Sequence, residues 1–279
     1  MIAAVGLFQV ARSGVDIFHR ISGFQGMYMT YAGLLMLAIV LGCAVIFFDF
    51  KKWRDSWIPL AVILMTGAVA FSLTRNAWVG IFVGISTLAA LRKPFALVAL
   101  PLIGALVFFI APKDVQNRVT SIFDSNNVTN KERMLLWEAG FDIVADYPVF
   151  GVGQNSFPLV YPEYRRPDVK EPSISHLHNN FLEIAVERGL VGLAAWLSVW
   201  FMAILSLTRA WANNGPLNLA IAGCAGALFA FLAAGMFEYN FGDSEIQMLV
   251  YITLAAGVAG AEKALERKVP KNSGSAGLA

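Results

Sequence analysis

Long apolar blocks alternate with short polar connections along this chain of 279 residues. Seven blocks, at about 29–48, 57–73, 77–91, 95–111, 190–208, 216–236 and 246–261, run for roughly 15 to 20 residues, the length that crosses a hydrocarbon layer as a helix. The run from Met1 to Ala11 is shorter and lacks a basic flank, which predicts an interfacial or packed segment rather than a span or a signal peptide. Basic residues in the short connections set orientation. Lys51, Lys52 and Arg54, then Arg92 and Lys93, then Arg209, then Lys263, Arg267, Lys268 and Lys271 all fall on one side of an alternating seven-span arrangement, which makes that side cytoplasmic. The predicted fold is all-α: a polytopic transmembrane helical bundle of about seven spans with one large, partly helical periplasmic loop. Its parts are a periplasmic or interfacial segment 1–28, four spans in 29–111, the loop 112–189, three spans in 190–261 and a solvated cytoplasmic tail 262–279.

The loop carries its own pattern. Between Lys131 and Asp146, Met134, Trp137, Phe141 and Val144 recur at helical spacing, and the helix should stop near Asp146 because Tyr147 precedes a proline. Gly151-Val152-Gly153 predicts a turn. A second helix is expected from Ser175 through Phe181 and Val186 to Arg188, broken at Gly189 before the fifth span begins.

Composition narrows the class. Apolar residues make up 57% of the chain and charged residues 14%, against roughly 25% charged in an ordinary soluble domain, and mean hydropathy is +0.62. A net charge of +2 without a basic stripe argues against nucleic acid and leaves membrane lipid, or something carried on a lipid, as the partner. Cys43 and Cys224 fall inside apolar blocks and give neither a disulfide framework nor a metal spacing.

Few polar residues stand where chemistry is expected. Arg75, in Ser72-Leu73-Thr74-Arg75, lies at the outer end of a tight helical hairpin, where a guanidinium either snorkels beside Trp78 or binds an anion such as phosphate. His178, in His176-Leu177-His178-Asn179, precedes the amphipathic run into the fifth span and is a candidate general base or a structural histidine. His176-x-His178 also permits a metal reading, although no cysteine or close carboxylate pair in the sequence completes a ligand set. Glu183 and Glu187 follow Asn179 at four-residue steps, as a solvated face would. Arg133 is expected in the first turn of the loop helix, a mild misfit to the helix dipole. Arg165 and Arg166 read as surface charges near lipid headgroups. Glu238, Asp243 and Glu245 read as an ordinary polar connector, or as a binder of sugar or cation.

His178-Asn179, nine residues, then Gly189-Leu190-Val191-Gly192 resembles the HNx9GxxG signature of the bacterial O-antigen ligase and polymerase-like membrane family. Ser72 to Arg75, Arg133 with Trp137, Pro148-Val149-Phe150-Gly151-Val152-Gly153 and Arg20-Ile21-Ser22-Gly23-Phe24 are similar to the family in the same order. The resemblance covers roughly residues 17 to 262, and the chain looks like the C-terminal two-thirds of members that typically have ten or more spans. It implies transfer of a glycan from an undecaprenyl-diphosphate donor to a hydroxyl of lipid A core or another glycan acceptor, at the periplasmic face of the inner membrane, without cofactor or metal. It further implies His178 as catalytic base and Arg75, Arg133 and Asn179 as substrate-binding residues. Two other classes remain open: a transporter of lipid-linked sugar, against which the absence of ionisable residues from the middles of the seven blocks counts, and a noncatalytic component of polysaccharide assembly.

Overall fold

A computed structural model of the chain describes residues 1–13, 20–49, 51, 54, 56–124, 126–169, 174–214 and 219–266. Among these residues every regular element is helical: α1 (Ile2–Ser13), α2 (Tyr28–Phe48), α3 (Ile58–Phe71), α4 (Arg75–Arg92), α5 (Ala96–Ile110), α6 (Lys113–Thr120), α7 (Val128–Asp146), α8 (Phe157–Tyr164), α9 (Asn180–Asn214), α10 (Leu219–Gly235), a 3-10 turn at Asn240–Gly242, and α11 (Ser244–Glu266). Each of the seven apolar blocks has become a helix. Only α2, α9 and α11 are long and apolar enough to cross a membrane by themselves, whereas α1, α3, α5 and α10 are shorter apolar helices. The Met1 run forms α1 and packs against α3. The cytoplasmic-tail expectation for Arg267, Lys268 and Lys271, and that for Lys52, lie outside the described residues.

The main core lies among α2, α4, α10 and α11, where Tyr31, Met36, Leu37, Leu88 and Phe231 are fully buried. Close approach between α4 and its neighbours depends on missing side chains. A Cβ at Gly80 would collide with the Met36 sulfur and sit 2.8 Å from the Ala230 carbonyl, and one at Gly84 would lie 3.1 Å from the Gly226 carbonyl. Small residues one turn apart let helix backbones meet where lipid offers no hydrophobic driving force between helices. Helix α5 contributes nothing to this core, and Val98, Leu102, Phe109 and Ile110 stand exposed along it.

A second, smaller core joins α7, α8 and the start of α9, built from Leu136, Ala139, Ile143, Phe157, Tyr161, Leu177, Leu182 and Val186. Met134 and Phe141 are exposed, and the buried stripe is Leu136, Ala139, Gly140 and Ile143. Trp137 and Val144 of the predicted spacing pack against this core while Met134 and Phe141 do not, so the apolar pattern straddles its edge. Gly140 allows the contact, since a Cβ there would lie 2.8 Å from Leu182. Helix α7 also starts at Val128, so Arg133 sits in its second turn and the expected dipole misfit is absent.

Candidate active site

Three local structures bring the polar residues together. At the α3–α4 hairpin tip Ser72 and Thr74 bond each other at 3.0 Å and Leu73 takes a left-handed φ of 52°, which turns the chain sharply and buries Arg75 at the start of α4. Arg75 does not snorkel. Its Nη1 donates to the Ser121 carbonyl at 3.0 Å and hydroxyl at 3.2 Å, while Arg118 donates back to the Leu73 carbonyl at 3.2 Å, so the end of α6 and the hairpin tip clasp each other.

The second structure is the segment before α9. The helix begins at Asn180 rather than Ser175, and His178 lies outside it with φ of 51°. Asn179 is the reason: its Oδ1 accepts the Phe181 and Leu182 N–H groups at 2.9 and 3.0 Å, an N-cap, and its Nδ2 donates to the Met236 carbonyl at 3.1 Å. The side chain expected to bind substrate has both ends engaged in holding His178 at a helix entrance. Glu183 accepts the Leu177 N–H at 2.6 Å and Glu187 the Asn155 N–H at 2.7 Å. Both are buried, so the expected solvated face is instead a set of internal struts.

The third structure is the connector between α10 and α11. Asn180 clips it at both ends of its amide, donating to Asn240 Oδ1 at 2.6 Å and accepting the Phe241 N–H at 3.0 Å. This fixes Glu238, only 3% exposed, in the middle of the site. Glu238 meets His176 Nε2 at 2.9 Å, His178 Nδ1 at 2.9 and 3.0 Å through its two oxygens, and Arg133 Nη2 at 3.5 Å. In sequence Glu238 reads as a polar connector or a binder of sugar or cation, because nothing local reveals that a carboxylate about sixty residues downstream returns to the histidines.

Burial would raise the Glu238 pKa, but hydrogen bonds from both histidines and their charges pull it well below the usual carboxylate range. Burial would lower that of His176, and the hydrogen bond and charge of Glu238 outweigh it, so His176 holds its proton more tightly than a free imidazole. For Arg133 burial is the larger influence and lowers its pKa, against the attraction of Glu238. Nδ1 of His178 faces Glu238, and its Nε2 has no hydrogen bond among the described residues. Such a histidine, oriented through one ring nitrogen, presents the other for proton transfer. His176, His178 and Glu238 also bring three ligand atoms within 4.8 Å of one another, close enough to share a metal ion, so the carboxylate absent from the sequence reading of His176-x-His178 is supplied by the fold.

Arg75 and Arg133 line one cleft of about 320 Å³, with Trp137, Met134, Ile122 and Phe237 as its apolar wall. Trp137 is held there by donating to the Leu177 carbonyl at 3.0 Å. Arg165 and Arg166 stand apart, Arg165 on the Val169 carbonyl at 2.9 Å and Arg166 on Asp142 at 2.6 Å, and neither lines the cleft.

The fold and this centre define a helical membrane protein in which two half-buried histidines on the buried Glu238 adjoin an arginine-bearing, largely apolar cleft. Residues 60–197 match the O-antigen ligase family, which, with the relatives that follow, supports an O-antigen ligase-like family for this chain. It is similar to a Haemophilus influenzae protein, 28% identical over 178 residues, covering 55% of this chain and 44% of the relative. A Rickettsia typhi protein named "Putative polysaccharide ligase" is 26% identical over 254 residues, covering 86% of this chain and 61% of the relative. A Rickettsia felis protein of the same name is 25% identical over 231 residues, with 77% and 54% covered. The chain thus spans about half the length of the curated relatives it matches.

Proposed function

We propose that the protein transfers a glycan from an undecaprenyl-diphosphate carrier to an acceptor hydroxyl at the periplasmic face of the bacterial inner membrane. The observation that carries this reading is that one buried carboxylate, Glu238, joins His178 to Arg133, which shares a cleft with Arg75. In this reading His178 Nε2 takes the proton of the acceptor hydroxyl as its oxygen bonds to the anomeric carbon. The bond from that carbon to the diphosphate oxygen breaks, and the electron pair leaves with the diphosphate. Arg75 and Arg133 face the charge that develops there, the kind of fixed electrostatic stabilisation that lowers such a barrier. In-line attack inverts the anomeric carbon. Glu238 orients His178 and balances the imidazolium once it forms, and Asn179 serves as the cap that holds the histidine in place. The apolar wall of the cleft suits the first isoprene units of the carrier, with the tail left in lipid.

Purified protein supplied with a lipid-diphosphate glycan donor and a glycan acceptor tests this. His178→Ala is expected to slow transfer by about 10²- to 10⁴-fold, the usual loss on removing a general base, while donor binding stays near wild type. Full transfer by His178→Ala overturns the base assignment. A second reading, metal at His176, His178 and Glu238, is favoured by their mutual spacing. Loss of transfer on chelation, restored by a divalent ion, would select it; unchanged transfer with chelator selects the His–Glu base.

A further inference from the structure

The arginine cleft has a counterpart of opposite character. A second cavity of about 280 Å³ is lined by His176, Asn155, Glu183, Glu187, Tyr239 and Asp243, and it shares no residue with the first. The two are linked through Glu238, which meets Arg133 of the first at 3.5 Å and His176 of the second at 2.9 Å. We propose that this second cavity seats one sugar ring of the acceptor, uncharged or amino-substituted, and disfavours rings that carry phosphate or carboxylate. The proposal rests on the transfer reaction above and adds the acceptor class to it.

Donors and acceptors decide what the cavity fits. Glu183 is 1% exposed and spends one carboxylate oxygen on the Leu177 N–H, while its other oxygen has no hydrogen bond among the described residues although the side chain lines the cavity. A carboxyl group that lines a cavity is matched by donors, which sugar hydroxyls or an ammonium supply, whereas a phosphate brings only further acceptors. Asp243 is half-buried: one oxygen takes the Thr30 hydroxyl at 3.0 Å, and the other has no hydrogen bond among the described residues. Glu187 is better satisfied, by the Asn155 N–H and by Arg188 at 3.5 Å. The volume is near the lower limit of ligand pockets, about 300 Å³, which suits a single ring rather than a longer glycan. Charge therefore sorts the two substrates. A diphosphate is attracted to the cleft of Arg75 and Arg133, whereas the second cavity, lined by three carboxyl side chains beside His176, favours a polyhydroxylated ring, which leaves the His–Glu centre between them.

Saturation-transfer NMR on the full chain in lipid nanodiscs, without donor, tests the cavity directly with three disaccharides: β-1,4-linked glucosamine disaccharide, cellobiose and cellobiose 6′-phosphate. The expected order is cationic at least as tight as neutral, with the phosphate about tenfold weaker or more, as like charges across a contact require. Asp243→Asn should shrink that gap and Asp243→Lys should reverse it, each with a wild-type melting temperature to show that the fold survives. In transfer assays Asp243→Asn should raise the acceptor KM and leave the donor KM unchanged. Equal binding of neutral and phosphorylated sugar, or no binding of any of the three, overturns the proposal. Ordered binding with no transfer from any lipid-diphosphate donor keeps the cavity assignment and removes the reaction on which it rests; transfer whose acceptor KM is the same in wild type and Asp243→Asn removes the cavity assignment alone.

Discussion

Glu238 accepts from His176, His178 and Arg133 at once, and the consequences of losing it depend on pH. Its folded pKa is depressed, so its contribution to stability is present above the unfolded carboxylate value of about 4.3 and is lost as pH falls through the folded value. That of His176 is raised, so its contribution is full below the unfolded imidazole value of about 6.5 and is lost as pH rises through the folded value. The pair stabilises most between those limits. The melting-temperature difference between wild type and Glu238→Gln is therefore expected to be largest near pH 5 to 6 and to shrink toward alkaline pH; a difference that stays flat over that range removes the ion pair. The arginines make a separate prediction. Arg75 and Arg133 present planar forks to one cleft, and a lysine point charge does not reproduce bidentate phosphate contact. Arg75→Lys and Arg133→Lys are each expected to weaken donor binding about 10- to 100-fold, the worth of one charge-assisted hydrogen bond, whereas Arg166→Lys, whose partner is Asp142, should leave it unchanged. Donor titration of the three variants measures this, and full binding by both cleft variants excludes the clamp.

At the scale of elements, the break at Gly189 explains two stretches of sequence together. Gly189 has φ of 67°, and the segment Pro148 to Gly153 fits into the gap it opens. The Val152 and Gly153 N–H groups donate to the Val186 and Glu187 carbonyls, both at 2.9 Å, and the Leu190 N–H donates to the Pro148 carbonyl at 2.8 Å, so the loop replaces the hydrogen bonds the helix forfeits. A Cβ on Gly189 would collide with the Val149 carbonyl and one on Gly151 with that of Val186. Gly189→Ala is expected to cost about 3 kcal/mol or to prevent folding, since it combines backbone strain with a clash against main chain. Thermal unfolding in detergent checks this, and a wild-type melting temperature for Gly189→Ala would show that the close approach is dispensable. The break itself was legible in sequence, as were the seven apolar blocks and the end of α7 before Pro148, because glycine, proline and long apolar runs act locally. The start of α9 was not. The resemblance implied substrate binding for Asn179 and said nothing of Asn180, and only the distant partners Met236, Asn240 and Phe241 give one amide a capping role and the other a clip. His178, Arg75 and Arg133 could be singled out because charged residues are rare near apolar blocks, whereas Glu238 read as a polar connector or a binder of sugar or cation, since its contacts with the histidines are made across the fold.

For the whole molecule, the short apolar helices pose the question of how the chain sits in lipid. Helices α2, α9 and α11 have the length to cross alone, while α3, α5 and α10 have 14, 15 and 17 residues and would reach across only with their flanking turns or a thinned bilayer. The proposed arrangement keeps all seven as spans. The described basic residues Lys51, Arg54, Arg92, Lys93, Arg209 and Lys263 then share the cytoplasmic side, and α7, α8 and the His–Glu centre share the periplasmic one. That placement also sets the chemistry, because the centre must meet a carrier headgroup at the interface and an acceptor arriving from outside. Cys43 and Cys224 are buried free thiols, so a background in which both are alanine gives a clean start for single-cysteine labelling. In intact cells Asp146→Cys, at the end of α7, is expected to react with a membrane-impermeant maleimide, and Lys263→Cys, near the end of α11, only after the membrane is opened. Reaction of Lys263→Cys in intact cells with Asp146→Cys protected inverts the orientation and places the His–Glu centre on the cytoplasmic side, whereas reaction of both from outside shows that the number of crossings between them is even rather than the odd number that seven spans require.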